Sequence, residues 1–224
     1  MTLTLVIGNK NYSSWSLRPW ITMKAAGIPF EERLIPLYDG DYKQRLLEIS
    51  PGGKVPILID GDIRVWESLA ILEHLAERFP DAGLWPKDPG ARAHARAISA
   101  EMHAGFVPLR SECPMNLWRP VIPRAISPEA LANVARIDAM WTECRSRFGA
   151  GGQFLFGPFS AADAMYAPVV TRLATYDLPV GDVARSYMAA VMASPAFVEW
   201  KAAGVKEPWI LAEDEPDWPT VLKA

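Results

Sequence analysis

The order of predicted strands and helices restricts the fold of this chain more than any other feature of its sequence. Over about the first 80 residues, short apolar runs of strand type alternate with amphipathic helical patterns in the order β-α-β-α-β-β-α. After a linker rich in Pro and Gly, residues 80–90, no convincing strand follows. We therefore expect a small α/β domain over residues 1–80 and an all-helical domain over residues 90–224 that ends in an extended tail.

The sequence predicts five helices in this second half, of which the last two cover residues 182–193 and 194–203. Residues 92–109 have a continuous helical pattern. Ser127-Pro128 is a cap residue followed by a proline at the first helical position, and it should begin a helix that runs to about Phe148. Ser160 and Asp163 have the spacing of a capping box, with Asp in place of Glu, at the start of a further helix.

Composition argues against several classes of function. The chain has 224 residues, is 50% hydrophobic and has a formal net charge of −3, with no basic block typical of nucleic-acid binding. No apolar run is long enough to span a bilayer, and the first residues lack a signal-peptide pattern. Cys113 and Cys144 lie far apart and in no CxxC pair, which favours free buried thiols and a cytoplasmic location. The histidines lack metal-binding spacing, so we expect no metal.

Three serines lie where the first predicted strand, residues 3–7, gives way to the first helix. Ser13, Ser14 and Ser16 precede Pro19, which fits best in the first turn of a helix, so the helix should begin near Ser14 to Ser16. Hydroxyl and backbone N–H groups at a helix N-terminus can stabilise an anion such as a thiolate. Plain N-capping is the structural alternative, because serine is a preferred cap residue.

Two further motifs of the α/β domain could hold a peptide. A cis peptide bond between Val55 and Pro56, just after Lys54, would turn the Val55 backbone groups outward, where an extended peptide could pair with them. Glu67 and Ser68 lie at the start of a helix, where Ser68 could bind a carboxylate and Glu67 an ammonium group. A trans proline and a plain N-cap are the structural alternatives. Together with the serines, these motifs predict a receptor for a small thiol peptide.

The order of these motifs resembles that of the cytosolic glutathione S-transferases. SSWSLR, KVP, ESLAILEHL and FSAAD follow one another over nearly the whole chain. The resemblance implies a thioredoxin-like first domain that binds glutathione, a helical domain with the electrophile pocket, and a homodimer. SSWSLR is similar to the SSCSxR motif of the zeta class, which includes the maleylacetoacetate isomerases. Trp15 stands where that class has its cysteine, which argues against zeta-type isomerisation.

The resemblance also implies roles for individual residues. Ser14 is the first candidate to activate the glutathione thiol, Ser13 is the second, and Ser16 is the expected structural cap. The residues implied to bind glutathione are Ser14, Trp15, Lys54, Val55, Pro56, Glu67 and Ser68. The electrophile pocket should lie on the helical domain, where Met102, Phe106, Arg110 and Tyr166 are its expected lining or, alternatively, ordinary packing residues.

The sequence thus predicts a glutathione S-transferase that activates the thiol of glutathione for attack on a small hydrophobic electrophile. Glutathione is the expected co-substrate, and neither nucleic acid nor a membrane is an expected partner. Another glutathione-dependent enzyme, such as an isomerase, a dehalogenase or a peroxidase, is an alternative within the same fold. A non-catalytic binding module is an alternative of another class, because one fold can serve unrelated functions.

Overall fold

A four-stranded mixed sheet organises the first part of the chain. The computed structural model describes residues 2–215. The strands are β1 (Leu3–Ile7), β2 (Phe30–Leu34), β3 (Ile57–Asp60) and β4 (Ile63–Trp66), and their order in the sheet is β2-β1-β3-β4. β1 pairs parallel with β2 and antiparallel with β3, and β3 pairs antiparallel with β4.

Three helices cover this sheet on both faces: α1 (Ser14–Ala25), α2 (Tyr42–Ile49) and α3 (Ser68–Arg78). Alternate side chains of a strand point to opposite faces. Leu5 therefore packs in the large core cluster that includes residues of α1 and α3, whereas Val6 packs in a smaller cluster with Leu46 of α2. The sheet is thus a central layer, and the loop after β1 leaves it at the C-terminal end of an interior strand.

The rest of the described chain is helical. Its elements are α4 (Pro89–Ala104), α5 (Val107–Glu112), α6 (Pro128–Phe148), α7 (Ala161–Thr175), α8 (Asp182–Ala193) and α9 (Pro195–Gly204), with 3-10 turns at Pro80–Ala82 and Ala212–Asp214. Between β4 and residue 215 there is no further strand, only an isolated bridge from Phe154 to Gly157. This arrangement confirms the expected fold class, an α/β sheet domain followed by an all-helical one.

Helix α7 connects the two parts of the fold. Every residue from Ala161 to Leu173 is buried, and the helix packs against α1 of the sheet domain as well as α4 and α8. The predicted capping box is confirmed, since Ser160 is the N-cap and Asp163 accepts the hydrogen bond of its backbone N–H. Within residues 2–215, none of the helices is long and apolar enough for a bilayer span.

The predicted helix over residues 92–109 is two helices in the structure. α4 ends at Ala104, and Phe106 adopts a left-handed conformation with φ +57° before α5 begins at Val107. A side chain at Gly105 would lie 2.7 Å from the carbonyl oxygen of Glu101, so the turn has little room for any other residue. The break places Arg110 on a short separate helix.

The predicted extended tail, residues 206–224, is described only in part. Residues 206–215 include the 3-10 turn Ala212–Asp214, and residues 216–224 lie outside the described range. Leu211 is 6% exposed and Asp214 is partly buried, so this segment packs on the protein. The two cysteines are free and buried, as predicted.

Candidate functional site

The serines lie at the junction of β1 and α1, where α1 begins at Ser14. Ser16 is fully buried, and its Oγ accepts hydrogen bonds from the Gly8 N–H at 3.1 Å and from the Ser13 hydroxyl at 2.8 Å. The expectation that Ser16 caps the helix is therefore wrong, because Ser13 is the N-cap residue and Ser16 ties the strand to the helix. Pro19 lies inside α1 rather than in its first turn.

Ser14 differs from its two neighbours in having a hydroxyl that makes no hydrogen bond to any residue between 2 and 215. Its backbone N–H donates to the Tyr12 carbonyl oxygen at 2.8 Å. Ser13 and Ser14 are 7% and 8% exposed. Both line a cavity of about 420 Å³, here called the second cavity, because the predicted peptide-binding residues line the first cavity described below. Of the two serine hydroxyls on this wall, that of Ser14 is the one available to a ligand.

The segment after α9 holds the loop between β1 and α1, here called the serine loop, in place. The Glu207 carboxylate accepts hydrogen bonds from the N–H groups of Lys10 at 2.8 Å and Asn11 at 3.2 Å. The Asn11 side chain accepts from the N–H groups of Leu117 and Trp118 at 2.8 and 3.0 Å. These bonds satisfy buried polar groups that would otherwise cost free energy, and they fix the loop against the helical part.

A neighbouring cavity of about 390 Å³, here called the first cavity, contains the other predicted peptide-binding residues. Its lining includes Trp15, Lys54, Val55, Pro56, Glu67 and Ser68. The peptide bond between Val55 and Pro56 is cis, which confirms the sequence prediction. The backbone N–H and C=O groups of Val55 have no backbone partner in the described residues, so they are free to pair with an extended ligand.

Ser68 and Glu67 differ in their environments. Ser68 is 1% exposed and is the first residue of α3, and its Oγ accepts a hydrogen bond from Arg18 Nη1 at 3.3 Å. Ser68 is therefore not the cap of this helix, since Glu67 occupies the N-cap position, with φ +66°. The Glu67 side chain is 56% exposed, and its Oε2 lies 3.3 Å from His103 Nε2.

Trp15 separates the two cavities and lines both, as do Lys54, Val55 and Arg110. The Arg18 guanidinium carbon lies 4.0 Å from the Trp15 ring centroid, and that of Arg110 lies 4.8 Å away. Cations over an aromatic face are attracted by its electron density. The shared wall makes the cavities adjoining compartments, so a ligand in the first could present a reactive group to the second.

Only one of the four predicted electrophile-pocket residues lines a cavity of this site. Arg110 lines both cavities, but Met102, Phe106 and Tyr166 line neither. Met102 and Tyr166 are fully buried, and the Tyr166 hydroxyl donates to the Ile98 carbonyl oxygen at 3.0 Å. The structure corrects the prediction for these three residues, which pack in the core because they face inward between helices.

Several residues of the second cavity were not identified from the sequence, among them Tyr12, Arg172 and Asp214. The Tyr12 hydroxyl donates to Glu215 Oε1 at 2.7 Å, and burial and this carboxylate raise the pKa of Tyr12, so its phenolate is inaccessible. Arg172 is 5% exposed, and burial lowers its pKa to about 10. Burial raises the pKa of Asp214 to about 6. Across residues 2–215 no group of side chains suits a metal ion.

Comparison with known proteins points to one family. The family model of the glutathione S-transferase N-terminal domain matches residues 12–78, and that of the C-terminal domain matches residues 124–204. Together the two models cover more than half of the chain, including the predicted peptide-binding residues and Arg172.

Curated relatives match over part of their length. A probable maleylacetoacetate isomerase of Caenorhabditis elegans is 43% identical over 100 residues, which are 44% of this chain and 46% of that protein. Human glutathione S-transferase theta-1 is 33% identical over 153 residues, 64% of this chain and 62% of that protein. The chain thus spans about half to three fifths of the length of these relatives.

Among solved structures, a glutathione transferase homolog from Burkholderia with bound glutathione has a TM-score of 0.71 at 23% identity. The superposition covers 91% of this chain and 98% of that one. At this identity the likeness establishes the shared fold.

Proposed function

We propose, on the premise that this chain belongs to the glutathione S-transferase family, that it binds glutathione and activates its thiol for attack on a small electrophile. The observation that carries this proposal is the adjoining pair of cavities. Val55, with free backbone groups, lies on their shared wall, and the unpaired hydroxyl of Ser14 lies beyond it. An extended tripeptide along this wall would run from the first cavity towards the serine.

The polar residues of the first cavity suit the charged groups of such a peptide. Glutathione carries an α-amino acid group at its γ-glutamyl end. The Ser68 hydroxyl, at the N-terminus of α3, suits the carboxylate, and the exposed Glu67 carboxylate suits the ammonium group. Lys54 is exposed beside Val55 and lines both cavities, so it can reach a second carboxylate of the peptide.

The chemistry required of the protein is to favour the thiolate. A free thiol has a pKa of about 8.5, so only a few per cent is thiolate at neutral pH. A hydrogen bond from the Ser14 hydroxyl and the positive end of α1 would together lower that pKa by roughly one to two units. The thiolate fraction would rise about tenfold, and the adjoining cavity would supply the proximity that the attack requires.

The test is the titration of bound glutathione, followed by the ultraviolet absorbance of its thiolate against pH. Ser14→Ala should raise the pKa of the bound thiol towards its free value, and the conjugation rate at neutral pH should fall by roughly 10- to 100-fold. Ser13→Ala is the matched control, because the Ser13 hydroxyl already donates to Ser16. If Ser13→Ala moves the titration and Ser14→Ala does not, the two roles must be exchanged. If neither moves it, serine activation is excluded.

A glutathione-dependent isomerase is the second candidate, because one relative is named as a probable maleylacetoacetate isomerase. An isomerase would return glutathione unchanged, whereas a transferase consumes it, so thiol loss during turnover separates the two. A non-catalytic binding module would bind glutathione without shifting the pKa of its thiol. We also propose a homodimer in the cytoplasm. Light scattering that gives the monomer mass at micromolar concentration would contradict the dimer.

A further inference from the structure

The second cavity carries more positive than negative charge. Among the described residues that line it, Lys43, Lys54, Arg110 and Arg172 are cationic, and Asp214 is the single acid. Lys54 also borders the first cavity, and Lys43 Nζ donates to the Gly53 carbonyl oxygen at 2.7 Å. Arg172 borders the second cavity but not the first. Its charge therefore needs an explanation apart from the first cavity.

Arg172 is a buried cation whose charge no carboxylate neutralises at contact distance. Its Nε donates to the Cys113 carbonyl oxygen at 2.8 Å and its Nη1 to the Pro168 carbonyl oxygen at 3.3 Å. Its Nη2 has no hydrogen-bond partner among residues 2–215, and no carboxylate of that range lies within 4 Å of the guanidinium. Burying an unpaired charge is costly. Carbonyl groups hold this side chain in place but leave one nitrogen and the charge for another partner.

Two more arginines raise the positive potential at the same place. Arg110 donates from Nη1 to the Gly105 carbonyl oxygen at 3.2 Å, and Arg18 from Nη1 to Ser68. Neither makes an ion pair with an acid in the described part of the chain. Burial lowers the pKa of Arg18, and repulsion from Arg172 and Arg110 lowers it further. An anion bound between Arg110 and Arg172 would relieve this repulsion.

Resting on the proposed function, we propose that the second cavity takes an electrophile that carries a carboxylate, bound by Arg172 Nη2 and Arg110. A guanidinium suits a carboxylate because its N–H groups form parallel, charge-assisted hydrogen bonds. The proposal replaces the hydrophobic electrophile expected from the sequence. The apolar part of the wall, which includes Leu37, Met115 and Leu211, would contact the uncharged body of such an electrophile.

Asp214 sets how strongly the cavity attracts that carboxylate. It lies on the segment after α9, and its charge interacts with that of Arg172 although the two side chains are not in contact. When ionised, Asp214 offsets part of the cationic charge and repels an entering anion. Loss of the Asp214 charge should therefore strengthen carboxylate binding, whereas loss of an arginine charge should weaken it.

The test compares 3,5-dinitrobenzoate with its methyl ester, which differ in charge and lack a leaving group, so neither reacts. Binding is measured by calorimetry at pH 7.5 and constant ionic strength, with the protein saturated with S-methylglutathione and again without it. The wild type should bind the acid at least tenfold more tightly than the ester. Arg110→Met and Arg172→Gln should each reduce that preference to about twofold or less. Asp214→Asn should increase it several-fold, a change that a damaged fold would not produce.

Arg185→Met is the matched control, because Arg185 is exposed on α8, pairs with Asp182 and lines neither cavity. The control should leave the preference unchanged. Equal binding of acid and ester by the wild type would overturn the inference, as would a preference that survives both arginine substitutions. Displacement of S-methylglutathione by the acid would also overturn it, because the arginines would then serve the carboxylates of glutathione. The titration without S-methylglutathione keeps this result separate from any failure of the proposed glutathione site.

Discussion

Replacing Asp163 by alanine should destabilise the protein more than replacing any exposed Asp or Glu, because Asp163 accepts three hydrogen bonds in the protein interior. Asp163 is fully buried in the first turn of α7. Its carboxylate accepts from the Leu155 N–H at 3.0 Å, the Ser160 N–H at 2.8 Å and the Ser160 hydroxyl at 2.8 Å. Burial raises its pKa to about 6, so the group is ionised at pH 7.5.

The magnitude follows from the groups that Asp163→Ala would leave without a partner. Leu155 and Ser160 are 0% and 5% exposed, so water cannot readily replace the carboxylate at either N–H. A buried unsatisfied donor costs about 1–3 kcal/mol, and the Ser160 hydroxyl can rotate to another acceptor. The two backbone donors and the lost charge-assisted bonds together should lower the free energy of unfolding by about 3–5 kcal/mol.

Urea unfolding followed by fluorescence measures this loss, with an unchanged m-value showing that the two-state analysis holds. For a chain of this size the melting temperature should fall by about 6–20 °C. Asp182→Ala is the matched control, since Asp182 is the first residue of α8 but its side chain is 99% exposed. A loss under about 1 kcal/mol for Asp163→Ala, or equal losses for the two variants, would refute the reasoning.

Two further predictions concern the loop between β1 and α1. Glu207→Gln should lower the free energy of unfolding by about 1–3 kcal/mol, because an amide has only one oxygen to accept from the N–H groups of Lys10 and Asn11. It should also weaken glutathione binding, measured by calorimetry. Unchanged affinity would show that the loop does not depend on this carboxylate. Ser16→Ala should cost about 1–3 kcal/mol in urea unfolding, because the Gly8 N–H loses its acceptor, yet leave the pKa of bound glutathione unchanged. A shifted thiol pKa would instead place Ser16 among the activating groups.

Local patterns identified the elements that bury one face at a regular spacing. α6 begins after Ser127, whose Oγ accepts from the Ala130 N–H at 3.1 Å, and it ends at Phe148 as expected. The prediction failed for the single helix expected over residues 92–109. The apolar pattern over residues 92–109 concealed the turn at Phe106, which depends on a left-handed backbone conformation that a hydrophobic pattern does not reveal.

The residues of the candidate site also fall into a group that the sequence could predict and a group that it could not. Val55, Glu67 and Ser68 were predictable because each lies at the boundary of an element, where backbone groups are unpaired. Arg172 and Asp214 were not predictable, because their importance comes from contacts between segments distant in the chain. An arginine in the middle of an Ala-rich helix has an exposed or a buried side chain depending on which helices pack around it, and a single sequence does not contain that information.

The hydrogen bonds between the Glu207 carboxylate and the serine loop also bear on the order in which parts of the fold can form during synthesis. They join residues 196 and 197 positions apart, so the loop before Ser14 obtains its carboxylate partner only after Glu207 has left the ribosome. The sheet can form earlier, from strands that are complete by Trp66. A nascent chain would therefore possess the sheet that supports the candidate site well before Glu207 holds the serine loop in place.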